Sequence, residues 1–182
     1  MSEPVFAQER GKDLMADPFG AGERNLFKQV LGLHAVARAG RRHTLSEEGD
    51  MSLFKTVRPN IVQSIRAFRV PELAAEAERL GQHFLYANCS QAQSKAEVLE
   101  TIATSFLFPK HFGKNYDALH DCLTDLVSHS GPQPGFVVVL EGLPVVTKFD
   151  KDGRETLLDV FRDAAEFWSE RRVSFRVFYS FA

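Results

Sequence analysis

Three aspartates recur four residues apart, Asp117, Asp121 and Asp125, within the segment Phe108 to Leu126, FPKHFGKNYDALHDCLTDL. Four residues turn an α-helix through about 400°, so side chains at this spacing drift only slowly around one face. No lysine or arginine lies between Asn115 and His129 to neutralise them. Each like-charge pair at this spacing costs an isolated helix roughly 0.2–0.5 kcal/mol. A local rule broken without local compensation points toward function. His111 and His120 stand in the same segment, and imidazole with carboxylate is the usual stock of a metal or general-base cluster. Such clusters generally draw on several strand ends, whereas these residues come from one helix and the turn before it. Cys122 adjoins Asp121, but its place in an apolar stripe argues for burial, and neighbouring carboxylates disfavour a thiolate.

The stripe is Leu119, Cys122, Leu123 and Leu126, an i, i+3, i+4, i+7 series that faces a core. Asp117, His120, Asp121 and Thr124 fall on the other face. Asn115 suits the N-cap, and Asp117 then lies in the first turn, where the helix dipole favours a negative charge. Gly113 is expected to take a positive φ that folds the preceding aromatic turn back on itself. His111 and Phe112 would then flank a rigid acidic patch.

These residues need a scaffold, and 182 residues with 44% hydrophobic content and 16 phenylalanines can bury a full core. The formal charge of −2 offers no basic field for phosphate backbones, so direct nucleic-acid binding is not expected. The opening residues, MSEPVFAQER, lack a basic stretch leading into an apolar core, and the longest aliphatic run, Phe136 to Leu140, is too short to cross a bilayer. The expected location is the cytoplasm, with no membrane partner. The two cysteines, Cys89 and Cys122, show no metal-ligand spacing and read as small buried thiols.

Residues 1–50 mix glycine, charge and isolated apolar positions, with helical periodicity only over Arg24 to Arg38, interrupted by Gly32. This stretch reads as a weakly ordered extension. Codons for Glu47, Glu48 and Gly49 would give a purine-rich message just ahead of Met51, which suggests Met51 as the true start. Mass spectrometry of the native protein tests this, since a peptide preceding Met51 would exclude it. Residues 51–82 read as a strand and helix: SIRAFRV, Ser64 to Val70, alternates like a half-buried strand, and Pro71 opens the helix PELAAEAERLG, closed by Gly81. HFLYA, His83 to Ala87, is the next strand. Ser94 with Glu97 forms a capping box before a helix through Val98, Ile102 and Phe106.

After the acidic helix and the loop SHSGPQPG comes FVVVL, a run typical of a strand covered on both faces. Arg154 to Trp168 is an amphipathic helix carrying Leu157, Leu158, Phe161, Ala165 and Trp168, and VSFRVFY, Val173 to Tyr179, is the closing strand. Glu141, Asp150 and Asp152 fall in turns. Strands separated by helices call for a mainly parallel sheet of three to four strands, an α/β sandwich of two or three layers. No glycine-rich phosphate loop follows any strand, so nucleotide binding has no support.

The segment FPKHFGKNYDALHDCLTDL resembles the signature of the barstar family, intracellular inhibitors of bacterial ribonucleases: a proline, an aromatic turn, glycine, asparagine and an Asp-Ala-Leu-x-Asp-Cys-Leu helix. The likeness extends over about residues 83–182, in the family's order of elements. It implies a barstar-like sandwich and a non-enzymatic inhibitor, with no cofactor, metal or catalytic residue, that binds a basic bacterial ribonuclease as a monomer. By the resemblance, Asp121 mimics a substrate phosphate, and Asp117 is a second acid facing the enzyme. Asp163, in VFRDA, stands where the family has glutamate. Gly113 and Asn115 match the family directly, His111 stands for a turn tyrosine, and His120 for a tryptophan. Leu126 lies near another family tryptophan. Aromatic anchors often dominate interface energy, so the target need not be the namesake's enzyme. Protonation of His111 or His120 would dilute the acidic patch as pH falls. Two other readings are an interaction module of the same fold with a non-nuclease partner and a small His/Asp hydrolase.

Overall fold

The computed structural model describes residues 52–66 and 68–182. The weakly ordered extension expected over residues 1–50, with its interrupted periodicity at Arg24 to Arg38, and the start expected at Met51 lie outside the described residues. In chain order the elements are β1 (Asn60–Ser64), α1 (Val70–Arg79), β2 (His83–Asn88), α2 (Lys95–Ser105), α3 (Tyr116–Thr124), α4 (Leu126–Ser130), β3 (Gly135–Leu143), α5 (Lys151–Glu170) and β4 (Ser174–Phe181). The four strands form one sheet in the order β1-β4-β3-β2, and every pairing is parallel.

β3 occupies an interior position and is buried at every residue except Glu141, as its continuous β-branched run requires. Successive side chains point to opposite faces. Phe136, Val138 and Leu140, with Phe175 and Val177 of β4, enter a core shared with α2, α3 and α5. Val137, Val139 and Phe178 enter a second core with Leu73 and Ala77 of α1 and with Phe54 and Val57. The result is a three-layer α/β/α sandwich. Each such buried Phe or Val contributes roughly 1.5–3 kcal/mol by leaving water.

The first strand lies earlier than its alternation suggests. β1 is NIVQS, not SIRAFRV, and its register runs from Asn60 opposite Phe175 to Ser64 opposite Tyr179. β4 ends two residues beyond Tyr179, so a strand reaching Val70 would have no partner. The chain instead turns, with Phe68 N–H donating to Ile65 C=O at 2.7 Å. Asn60 anchors the strand from the other end, its amide donating to the carbonyls of Ala165 (3.0 Å) and Val173 (2.9 Å).

The helix boundaries follow their caps. Pro71 stands in the first turn of α1, and Gly81, at φ +64°, follows its end. Ser94 Oγ accepts from Glu97 N–H, but the Glu97 carboxylate takes the N–H of Gln93, one residue before the cap itself. α5 begins three residues before Arg154, because Asp150 caps it by accepting from Gly153 N–H at 2.8 Å. Glu141 lies within β3 rather than in a turn, where its carboxylate accepts from the Tyr86 hydroxyl.

A polar cluster ties residues 52–54 to the second face. Arg79 donates to both oxygens of Glu76 (2.8 and 2.9 Å), and Ser52 Oγ donates to the same carboxylate. These bonds, Arg79's foremost and against the effect of burial, hold Glu76 down at about 2. Arg176, also buried, lays its guanidinium 4.5 Å from the Phe54 ring centroid and donates to Ser174 Oγ.

Candidate functional site

The acidic helix is α3, and what holds it begins in the turn before it. Phe106, Phe108 and Phe112 form a chain of ring contacts, with centroids 5.8 and 5.6 Å apart, that carries the turn on the core. Pro109 C=O accepts from Phe112 N–H at 2.9 Å. The positive φ expected at Gly113 is instead at Lys114 (φ +47°), with a second left-handed residue, Leu107 (φ +56°), ahead of the turn. Lys114 pairs with Glu100 of α2 at 3.2 Å, a contact that accompanies the strained backbone. A Cβ on Gly113 would lie 3.1 Å from the Asn115 side-chain amide, so compactness around the cap is what favours glycine there.

Asn115 is the N-cap, its Oδ1 accepting from Ala118 N–H at 2.8 Å while its amide donates to Gly113 C=O at 3.4 Å. Gly113 and Asn115 thus build the turn. α3 rests on Leu119 and Leu123, both fully buried, whereas Cys122 is only half-buried, at the margin of the stripe rather than within it. Burial first, then Asp121 and Asp125, raise its thiol pKa, and burial alone pushes Cys89 to about 12.

Asp117 and Asp121 are exposed on the outer side of α3, with His120 and Thr124 half-buried beside them and His111 exposed on the turn. Thr124 Oγ1 donates back to the carbonyls of His120 (2.9 Å) and Asp121 (3.1 Å). Asp125 does not share this helix. α3 ends at Thr124, and Asp125, at φ −108° and ψ 17°, joins it to α4 and accepts from Ser128 Oγ. Leu126 opens α4 and is buried in the core.

Asp163 projects from the exposed side of α5, the helix against which α3 packs. Its sequence neighbour Arg162 is engaged by Asp159 at 2.5 Å and Glu155 at 3.7 Å. Among the described residues, no ion pair involves Asp117, Asp121, Asp125 or Asp163. Nor is any group of three or more His, Cys, Asp and Glu side chains there placed to hold a metal ion. No helix among them is long and apolar enough to cross a membrane.

Two residues outside the expected site fix the two helices together. The Tyr116 hydroxyl donates to Gly153 C=O at 2.8 Å, and the buried Trp168 indole N–H donates to Leu123 C=O at 2.9 Å. Lys95 sits 3.8 Å over the Tyr116 ring. Burial, then the charge of Asp150, raises the Tyr116 pKa and keeps its proton on the oxygen. The sequence signal was present: Tyr116 continues the Leu119 and Leu123 stripe one turn back, and a half-buried tyrosine needs a partner for its hydroxyl. A family model described as Barstar (barnase inhibitor) matches residues 82–180.

Proposed function

The chain belongs to the barstar family, and on that premise we propose that it is an inhibitor that binds a basic bacterial ribonuclease one to one and blocks its phosphate-binding cleft with the outer face of α3. The observation carrying this reading is that Asp117, Asp121 and Asp163 are exposed and lack ion pairs among the described residues, on two packed helices inside the family match. Carboxylates held in this way offer a basic cleft what a phosphate backbone would offer. Opposed fields speed encounter, and charge pairs desolvated in the complex can dominate affinity.

In this reading Asp121 takes the phosphate position and Asp117 and Asp163 meet flanking cations. His111, His120 and Thr124 form the rim, and Gly113 and Asn115 shape the turn. The protein acts in the cytoplasm, as an immunity factor protecting its own cell, without cofactor, metal or turnover. The half-buried His120 and exposed His111 stand where the family has other ring anchors, which favours a nuclease other than the namesake's. Affinity capture from host lysate should recover a small basic ribonuclease. Recovery of non-nuclease proteins alone would support the interaction-module reading instead. Metal-dependent turnover abolished in His120→Ala would support the hydrolase reading.

A further inference from the structure

We infer that Tyr116 and Trp168 are positioning residues that lock the carboxylates of α3 and α5 into one rigid array before a partner arrives, an inference that rests on the inhibitor reading above. The acidic surface is divided between two elements, Asp117 and Asp121 on α3 and Asp163 on α5. Two helices bearing uncompensated like charges tend to slide or pivot apart unless something holds them. Apolar packing resists separation but is non-directional, so it leaves sliding and rotation weakly opposed.

The two hydrogen bonds supply the direction. Each joins a side chain on one helix to a backbone carbonyl on the other, and a helical carbonyl has no rotamer by which to move away. They act at both ends of α3 and in opposite senses: Tyr116, its first residue, reaches to Gly153 near the start of α5, and Trp168, near the end of α5, reaches back to Leu123. Tyr116 and Leu123 are about 10 Å apart along the helix axis. One pin would leave a pivot, whereas two pins at that separation oppose both pivoting and sliding.

Trp168 is 4% exposed, so water competes poorly for its N–H. Lys95 holds the Tyr116 ring from above, which limits the hydroxyl's choice of partner. A rigid nuclease cleft would then meet carboxylates already at its own spacing and would not have to order them on binding.

Tyr116→Phe removes the hydroxyl and keeps the ring beneath Lys95; Trp168→Phe removes the indole donor and retains an aromatic core residue. The first readout needs no partner. Spin labels at Asp121→Cys and Asp163→Cys, in a Cys122→Ala background with the fully buried Cys89 left in place, report the distance distribution between the acid positions. Each variant should broaden that distribution.

The second readout uses purified barnase as the probe: where the parent inhibits it, barnase should leave Tyr116→Phe roughly 2- to 10-fold faster than it leaves the parent, the net worth of one such hydrogen bond. Distributions as narrow as the parent's in both variants overturn the inference, even where their melting temperatures fall, because the two bonds would then serve stability alone. Broadened distributions in a protein that does not inhibit barnase support the positioning role and count against this nuclease as the partner.

Discussion

Asp121→Asn removes one charge from α3 while keeping the shape of the side chain, and it should move stability and partner binding in opposite directions. Asp121 has like-charged neighbours four residues away on both sides, Asp117 and Asp125, and no ion pair among the described residues. Relief of two such repulsions amounts to roughly 0.4–1 kcal/mol. The lower part of that range is favoured, since Asp125 lies beyond the helix end and already accepts from Ser128. Asp121 is the sixth residue of α3, beyond the first turn, so little favourable dipole interaction is lost. Asn and Asp have similar helix propensities. The melting temperature should therefore rise by about 1–4 °C at low salt.

The gain should shrink at 1 M salt, where the screening length falls to about 3 Å. In the complex, truncating one member of a desolvated charge pair costs about 2–5 kcal/mol, a loss of roughly 30-fold to several thousand-fold in affinity. Most of it should appear as faster dissociation. Calorimetry at two salt concentrations, with binding kinetics on the captured ribonuclease, measures both effects. A melting temperature that falls at low salt would mean instead that Asp121 has a favourable partner inside the molecule.

Glu76, held down at about 2, is a depressed acid. Its contribution to stability is complete above its ordinary value of 4.5 and is lost as pH falls through about 2. The melting-temperature gap between the parent and Glu76→Gln should accordingly narrow over that acid range and stay constant from pH 5.5 to 7. Gly113→Ala should cost less than about 1 kcal/mol in denaturant unfolding, since only a side-chain amide must yield. Gly142→Ala should cost more than about 2 kcal/mol, because φ is +67° there and the new Cβ would meet the Ser90 backbone at 3.1 Å.

The elements with strong periodicity were legible from the sequence. FVVVL, the Ser94 and Asn115 caps and the buried face of α5 all stand where their patterns place them. What escaped depends on contacts that local patterns do not encode. SIRAFRV alternates as a strand does, yet β1 was decided by where β4 ends and by two carbonyls that Asn60 reaches more than a hundred residues away. The left-handed backbone moved from Gly113 to Lys114, where the Glu100 contact accompanies it. The four-residue spacing of the aspartates suggested one continuous face. Asp125 instead separates α3 from α4, so only two of the three share the helix.

Titration of the captured ribonuclease's RNA cleavage with the parent chain and with Asp121→Ala measures whether this carboxylate blocks the cleft. The parent should abolish cleavage at one equivalent, and Asp121→Ala, still folded, should show an inhibition constant at least about 30-fold higher. Equal inhibition constants, or no inhibition by the parent, would contradict the phosphate-mimic role of Asp121.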